Sequence, residues 1–272
     1  MTNPHPQFYK SAIDSTGCIS NAWNLIGPNY WLYFGISFVA FLILFAVQLV
    51  PFVGPVIMVL LTPPVMGGVY YVALRAMRGE PVDFGMMFKG FEKAGPLFLI
   101  GAISSAPTII FSILDIFLRS TQVLLEAIMR NQGRSQFQSS APDFAVAGGM
   151  LVIIFVVLGI FLVISLLWAI TFAFAVPIAM DQDVDALTAI KLSARAGWGN
   201  FGGVFILIIL CWLMSFGGAL LCCVGLFFVL PIVNVTWAFA YRQVFPDLGP
   251  NPNVRYEPPS PDAYQGSFGQ GM

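Results

Sequence analysis

Asp181-x-Asp183-x-Asp185 puts three carboxylates at alternate positions, the spacing with which a calcium loop begins. Such a loop then needs a turn-forming glycine at its sixth position and a bidentate glutamate at its twelfth. Those positions hold Ala186 and Leu192. The triplet therefore reads as the acidic start of a helix, with Asp183 the expected N-cap. Cys18, Cys211, Cys222 and Cys223 contain no Cys-x-x-Cys spacing, and the only histidine, His5, is in the N-terminal tail. Neither a zinc site nor a disulfide framework fits that pattern, and the vicinal Cys222-Cys223 pair reads as small packing residues. Without an internal histidine no nucleophile–base pair is expected. No carboxylate pair, Walker loop or glycine-rich dinucleotide turn stands in its place. The sequence assigns no catalytic residue, no cofactor and no metal.

Three weaker sets remain. Asp115 is the one acid inside an apolar stretch, which would suit an ion relay; Arg119 at i+4 makes a local ion pair the better reading. Pro63, Pro64, Gly67, Gly68, Pro107, Pro231 and Asn234 interrupt apolar stretches, and freed carbonyls at such breaks can line a solute path. The plainer reading is interhelical hydrogen bonding and close packing. Arg75, Arg78, Lys89, Lys93, Lys191 and Arg195 cluster at the ends of apolar stretches, where they could hold anionic headgroups or simply fix topology.

All of these residues sit in an exceptionally apolar chain. Of 272 residues, 58% are hydrophobic and 9% charged, against about 25% charged in a soluble domain. No Asp, Glu, Lys or Arg occurs between Asp14 and Arg75, Lys93 and Asp115, Asp143 and Asp181, or Arg195 and Arg242. Each gap exceeds the roughly 18–20 apolar residues that cross a bilayer as a helix. The chain reads as an all-α multi-pass membrane protein. A net charge of −1 implies no nucleic acid partner, and the N-terminus carries no cleavable signal pattern.

Six spans are expected at about 30–50, 56–74, 95–118, 147–176, 201–221 and 226–241. Pro63-Pro64 should kink or unwind the second, and Pro107 should interrupt the third. Three surface helices precede span pairs, at 10–26, 80–93 and 183–199. Apolar residues line one side of each: Ile13/Ile19/Ala22/Trp23/Ile26, with Trp23 at headgroup level; Phe84/Met87/Phe88/Phe91, whose aromatic stripe packs on the bundle or lies in lipid; and Leu187/Ile190/Ala194/Trp198. Residues 1–9 form a loose tail, 10–245 the membrane domain, and the proline-rich 246–272 a disordered tail that could engage a cytoplasmic protein.

An internal repeat is expected as well. Pro64-VMGGVYYVAL-Arg75 aligns without gaps on Pro231-IVNVTWAFAY-Arg242, and Trp168…Pro177 shares its spacing with Trp237…Pro246. The layout divides into three units, each an interfacial amphipathic helix plus a helical hairpin, at about 10–78, 80–177 and 183–246. With six spans, Lys10, Arg75, Arg78, Lys89, Lys93, Lys191, Arg195, Arg242 and Arg255 share one side, and Arg119, Arg130 and Arg134 the other. That bias places both termini in the cytoplasm.

Two stretches resemble a family of uncharacterised bacterial integral membrane proteins: P-x-M-G-G-V-Y-Y-x-A-L-R-x-x-R-G-E-P-V-x-F-x-x-x-F-K-G-F from Pro64 to Phe91, and D-x-x-x-D-A-L-T-A-I-K-L-S from Asp181 to Ser193. That family is similar in layout to the membrane domain of some bacterial glycerophosphodiester phosphodiesterases. The resemblance implies a six-span bundle in a bacterial inner membrane. With the catalytic domain absent, it implies no activity. Two functional readings follow: a non-enzymatic bundle that organises membrane lipids or a partner protein, or a carrier or channel for a small neutral or hydrophobic solute.

Overall fold

A computed structural model describes residues 8–50, 53–112, 116, 119, 120, 123, 127, 144–182, 184–221 and 224–246, with backbone only for 144–151, 153 and 154. Every regular element among them is helical: α1 (Ser15–Ile26), α2 (Tyr30–Gln48), α3 (Gly54–Met77), a 3-10 segment (Phe84–Lys93), α4 (Ala94–Ser104), α5 (Ala106–Ser112), α6 (Phe144–Phe172), α7 (Ala175–Asp181), α8 (Ala186–Gly199), α9 (Phe201–Leu220) and α10 (Val224–Val244). Five stretches are long and apolar enough to cross a membrane: Ser15–Gln48, Gly54–Met77, Phe155–Asp181, Phe201–Leu220 and Val224–Val244. The broken run Phe84–Ser104 plus Ala106–Ser112 makes up to six. The chain is a multi-pass membrane protein. The expected Asp115, Cys222, Cys223, Arg130, Arg134, Arg255 and both tails beyond Phe8 and Pro246 lie outside the described residues.

The chain divides into two compact units, one of residues 1–103 with 170–272 and one of 104–169. In the smaller unit α5 and α6 run antiparallel. Phe111 lies 4.3 Å from Phe161 between ring centres, and the Trp168 indole donates to the Ser104 carbonyl at 2.8 Å. Much of α6 is exposed, as Phe155 and Leu162 are.

The larger unit packs through small residues. Between apolar helices in lipid there is little hydrophobic drive, so close backbone approach and hydrogen bonds must supply the association. A Cβ on Gly68 would strike the Met87 carbonyl, and one on Gly90 would strike the Pro64 carbonyl. The 3-10 segment therefore lies directly on the backbone of α3 at Pro64–Gly68. Gly101 of α4 abuts the Val59 carbonyl, the acceptor that Pro63 leaves without its usual donor. Pro63 and Pro64 are both inside a helix that runs unbroken from Gly54 to Met77. No turn is unwound at that pair; Gly101 packs on the freed Val59 carbonyl, while the Thr62 hydroxyl bonds to the Met58 carbonyl at 2.7 Å. On the other flank of the unit, α2 meets α10 through aromatic rings: Phe34 on Phe228 at 5.2 Å and Phe41 on Phe227 at 5.0 Å.

Of the three apolar stripes, Ala22 and Ile26 in the first, Met87 in the second and none in the third are buried. In α1 the buried residues are Ser15, Cys18, Ala22 and Ile26, and Trp23 is 55% exposed. In α8 they are Ala186, Ala189, Leu192, Ser193, Ala196 and Gly197, and Leu187 and Trp198 point outward. The expected helix at 80–93 is 3-10, with three residues per turn, so Met87 and Gly90 fall on one row and Phe88 and Phe91 on another. Phe88 and Phe91 are accordingly exposed, and so is Phe84 at the start of the Met87–Gly90 row. In α1 and α8 the buried residues are mostly small, while Trp23, Leu187 and Trp198 are exposed.

All three begin at an aspartate. The carboxylates of Asp14, Asp83 and Asp185 accept from the backbone N–H of Gly17 (3.0 Å), Met86 (3.2 Å) and Thr188 (3.2 Å), each three residues on. Those N–H groups hold the Asp14 carboxyl below the ordinary carboxylate range, and the Thr188 hydroxyl and N–H do the same for Asp185. The cap of α8 is thus Asp185 and not Asp183, which lies outside the described residues.

Candidate functional site

The exit of α3 is fixed by a Schellman closure. Gly79, at φ 73°, donates to the Ala76 carbonyl at 2.9 Å, and Glu80 donates to that of Arg75 at 3.1 Å. This turn stops the helix with Arg75 and Arg78 at its end. The C-terminus of α7 and the last turn of α10 lie beside it, and the three ends meet on one carboxylate.

Asp181 is that carboxylate. Its Oδ1 accepts from Arg78 Nη2 at 2.5 Å and Arg242 Nη2 at 2.8 Å; its Oδ2 accepts from Arg242 Nη1 at 2.9 Å and the Tyr241 hydroxyl at 2.8 Å. The Arg242 contact is a bidentate fork, the strong geometry for this pair. Side-chain exposure is 7% for Arg242 and 9% for Asp181, against 36% for Arg78. Gln182 adds a bond from its Nε2 to the Tyr241 hydroxyl at 3.2 Å, while its Oε1 is buried without a partner. Lys93, closing the 3-10 segment, donates to the Ala179 and Met180 carbonyls at 3.3 and 3.5 Å, where the end of α7 carries negative partial charge. With four donors on its two oxygens, Asp181 has no acceptor site left for a metal or a substrate. It ties three apolar helices at one end.

A second polar tie repairs the break between α6 and α7. The chain leaves helical geometry at 173–174 and resumes at Ala175; Pro177, lacking an N–H, cannot bond back across the gap. Ser193 of α8 fills it: its hydroxyl donates to the Thr171 carbonyl at 2.8 Å and accepts from the Phe174 N–H at 3.1 Å. Gly197, one turn on, lies against the Ile170 carbonyl. A third tie uses Asn200, 2% exposed, whose Nδ2 donates to the Tyr9 and Ala196 carbonyls while its Oδ1 accepts from the Ala12 N–H, all at 2.8–2.9 Å. With the Tyr9 N–H on the Val244 carbonyl at 3.0 Å, the tail expected to be loose is fastened from Phe8 onward.

Of the residues expected at a solute path, Pro63, Pro64, Gly67 and Gly68 fall within two turns of α3. Gly67 packs on Leu97 and Met180, Pro107 is in the first turn of α5, Pro231 is buried in α10, and Asn234 donates to the Ser37 hydroxyl at 3.3 Å across α2 and α10. Thr236 and Ser215 bond to carbonyls of their own helices, at 2.7 and 2.8 Å. Among the basic residues, Arg75 pairs with Glu80 and Lys89 with Glu92, both at 2.5 Å, Arg78 and Lys93 join the Asp181 cluster, and Lys191 and Arg195 are exposed on α8. No protein-family model, characterised protein or solved structure matches the chain. Sequence reasoning missed Tyr241, Gln182, Ser193 and Asn200. Arg242 was visible as the one cation closing the last apolar gap, but nothing local pairs it with an acid 61 residues upstream.

Proposed function

We propose that the chain is a non-enzymatic, six-span protein of a bacterial cytoplasmic membrane, with both termini in the cytoplasm, that organises membrane lipid or a partner protein. In this reading the three Asp-capped helices are the surface elements of three repeated units. The contacts support that layout: the 3-10 segment packs on α3, α8 on α7, and α1 on α10, so each surface element rests on the last span of the unit before it and the first closes the ring. The observation that carries the functional part is the disposal of polar groups. Asp181, Arg242, Asn234, Ser193 and Asn200 are all spent on joining helices, and among the described residues Gln182 Oε1 is the buried side-chain polar atom left without a partner. That atom is the one observation favouring the second reading, a carrier for a small neutral or hydrophobic solute.

Flux separates the two. Protein reconstituted in liposomes should pass no member of a panel of small neutral solutes faster than protein-free vesicles. Sustained flux that is abolished by Gln182→Leu would replace the organising role with transport.

A further inference from the structure

Four of the six basic residues that the sequence nominates for lipid are occupied within the protein: Arg75 by Glu80, Arg78 by Asp181, Lys89 by Glu92 and Lys93 by the α7 carbonyls. Lys10, Lys191 and Arg195 have no carboxylate partner among the described residues, and all three are exposed. They belong to one corner. Lys191, Arg195 and Trp198 follow one another at intervals of four and three along the outward face of α8, the spacing that aligns side chains on a helix. The Lys10 stem lies over Gly199, 3.3 Å from where a Cβ would stand. Trp198 stacks on Phe201 at 5.8 Å, and with Ser11, Gly199 and Gly202 they line a shallow open groove.

The depth of this corner follows from the chain. Phe201 begins α9, a helix of 20 residues apolar enough to span a bilayer. The residues just before it therefore occupy the zone where hydrocarbon gives way to headgroups, the level that Trp favours. Cations at that level meet phosphate.

We infer that the Lys10–Lys191–Arg195–Trp198 face is a docking surface for anionic phospholipid headgroups. Phosphate oxygens pair with the three cations while Trp198 and Phe201 lie against the upper acyl chain and glycerol. This rests on the membrane-organising reading above and deepens it by naming the ligand. It also moves the lipid contacts from the α3 exit to the α8–α9 corner and adds Lys10.

The test is native mass spectrometry of the full chain released from detergent carrying phosphatidylglycerol or phosphatidylcholine. The wild type should retain phosphatidylglycerol in preference. Each neutralised cation should weaken that retention about five-fold, so that K10Q/K191Q/R195Q loses on the order of 100-fold. K89Q, whose lysine is already paired, serves as the fold-matched control and should retain wild-type selectivity. Equal retention of both lipids by the wild type, or selectivity lost in K89Q and kept in the triple variant, would overturn the inference. So would displacement of phosphatidylglycerol by millimolar inorganic phosphate, the mark of a soluble-anion site. None of these outcomes bears on flux, so the organising reading stands or falls separately.

Discussion

Asp181 sets the energetics at the residue scale. A carboxylate paired with a buried guanidinium is costly to disturb, because removing it strands the other charge away from water, at about 3–5 kcal/mol. Arg242 is the stranded partner, being nearly inaccessible, whereas Arg78 keeps access to solvent. Asp181→Asn should therefore lower the thermal midpoint of the detergent-solubilised protein far more than Arg78→Gln, for which about 1 kcal/mol is expected. The double variant D181N/R242M should recover part of the loss, since it removes the orphaned charge. Equal effects for D181N and R78Q would mean that the cluster is solvated and does not tie the helices. Ser193 and Asn200 act in the same way without charge, satisfying backbone groups that a broken helix and a corner leave open.

Element-scale packing is set by glycine rather than by bulk. Gly68 and Gly90 sit where a single Cβ would collide with backbone, while Gly95 meets nothing within 4 Å. Gly68→Ala should cost about 1–3 kcal/mol through forced backbone movement, and Gly95→Ala, in the first turn of α4, should be neutral or slightly stabilising. Comparing the folded yields and melting midpoints of the two checks this; equal behaviour would remove the close approach of the 3-10 segment to α3.

This scale also shows what could be read from sequence. The positions of the apolar stretches were legible from the uncharged gaps, and the Gly79 turn and the break beside Pro107 from local punctuation. Which residues of the short helices face protein was not, because an apolar stripe at a membrane surface can turn to protein or to lipid. Trp23, Leu187 and Trp198 are exposed, whereas Ala22, Ala189 and Gly197 make the close contacts. That α3 stays helical through Pro63-Pro64 was not legible, since Gly101, which packs on the Val59 carbonyl, is remote in sequence. The Asp181 cluster was hidden altogether, since its members come from three helices.

For the whole molecule, threading through the bilayer is the claim on which the organising role and the lipid surface both depend. In the proposed arrangement Lys89 of the 3-10 segment and Lys191 of α8 are on the cytoplasmic face, and Arg119 is on the opposite one. Single cysteines placed at 89, 191 and 119, in a background with Cys18, Cys211, Cys222 and Cys223 replaced, report this directly. A membrane-impermeant maleimide applied to intact cells should label 119 alone, and should reach 89 and 191 only after the inner membrane is opened. Labelling of 119 and 89 from the same side would contradict the account.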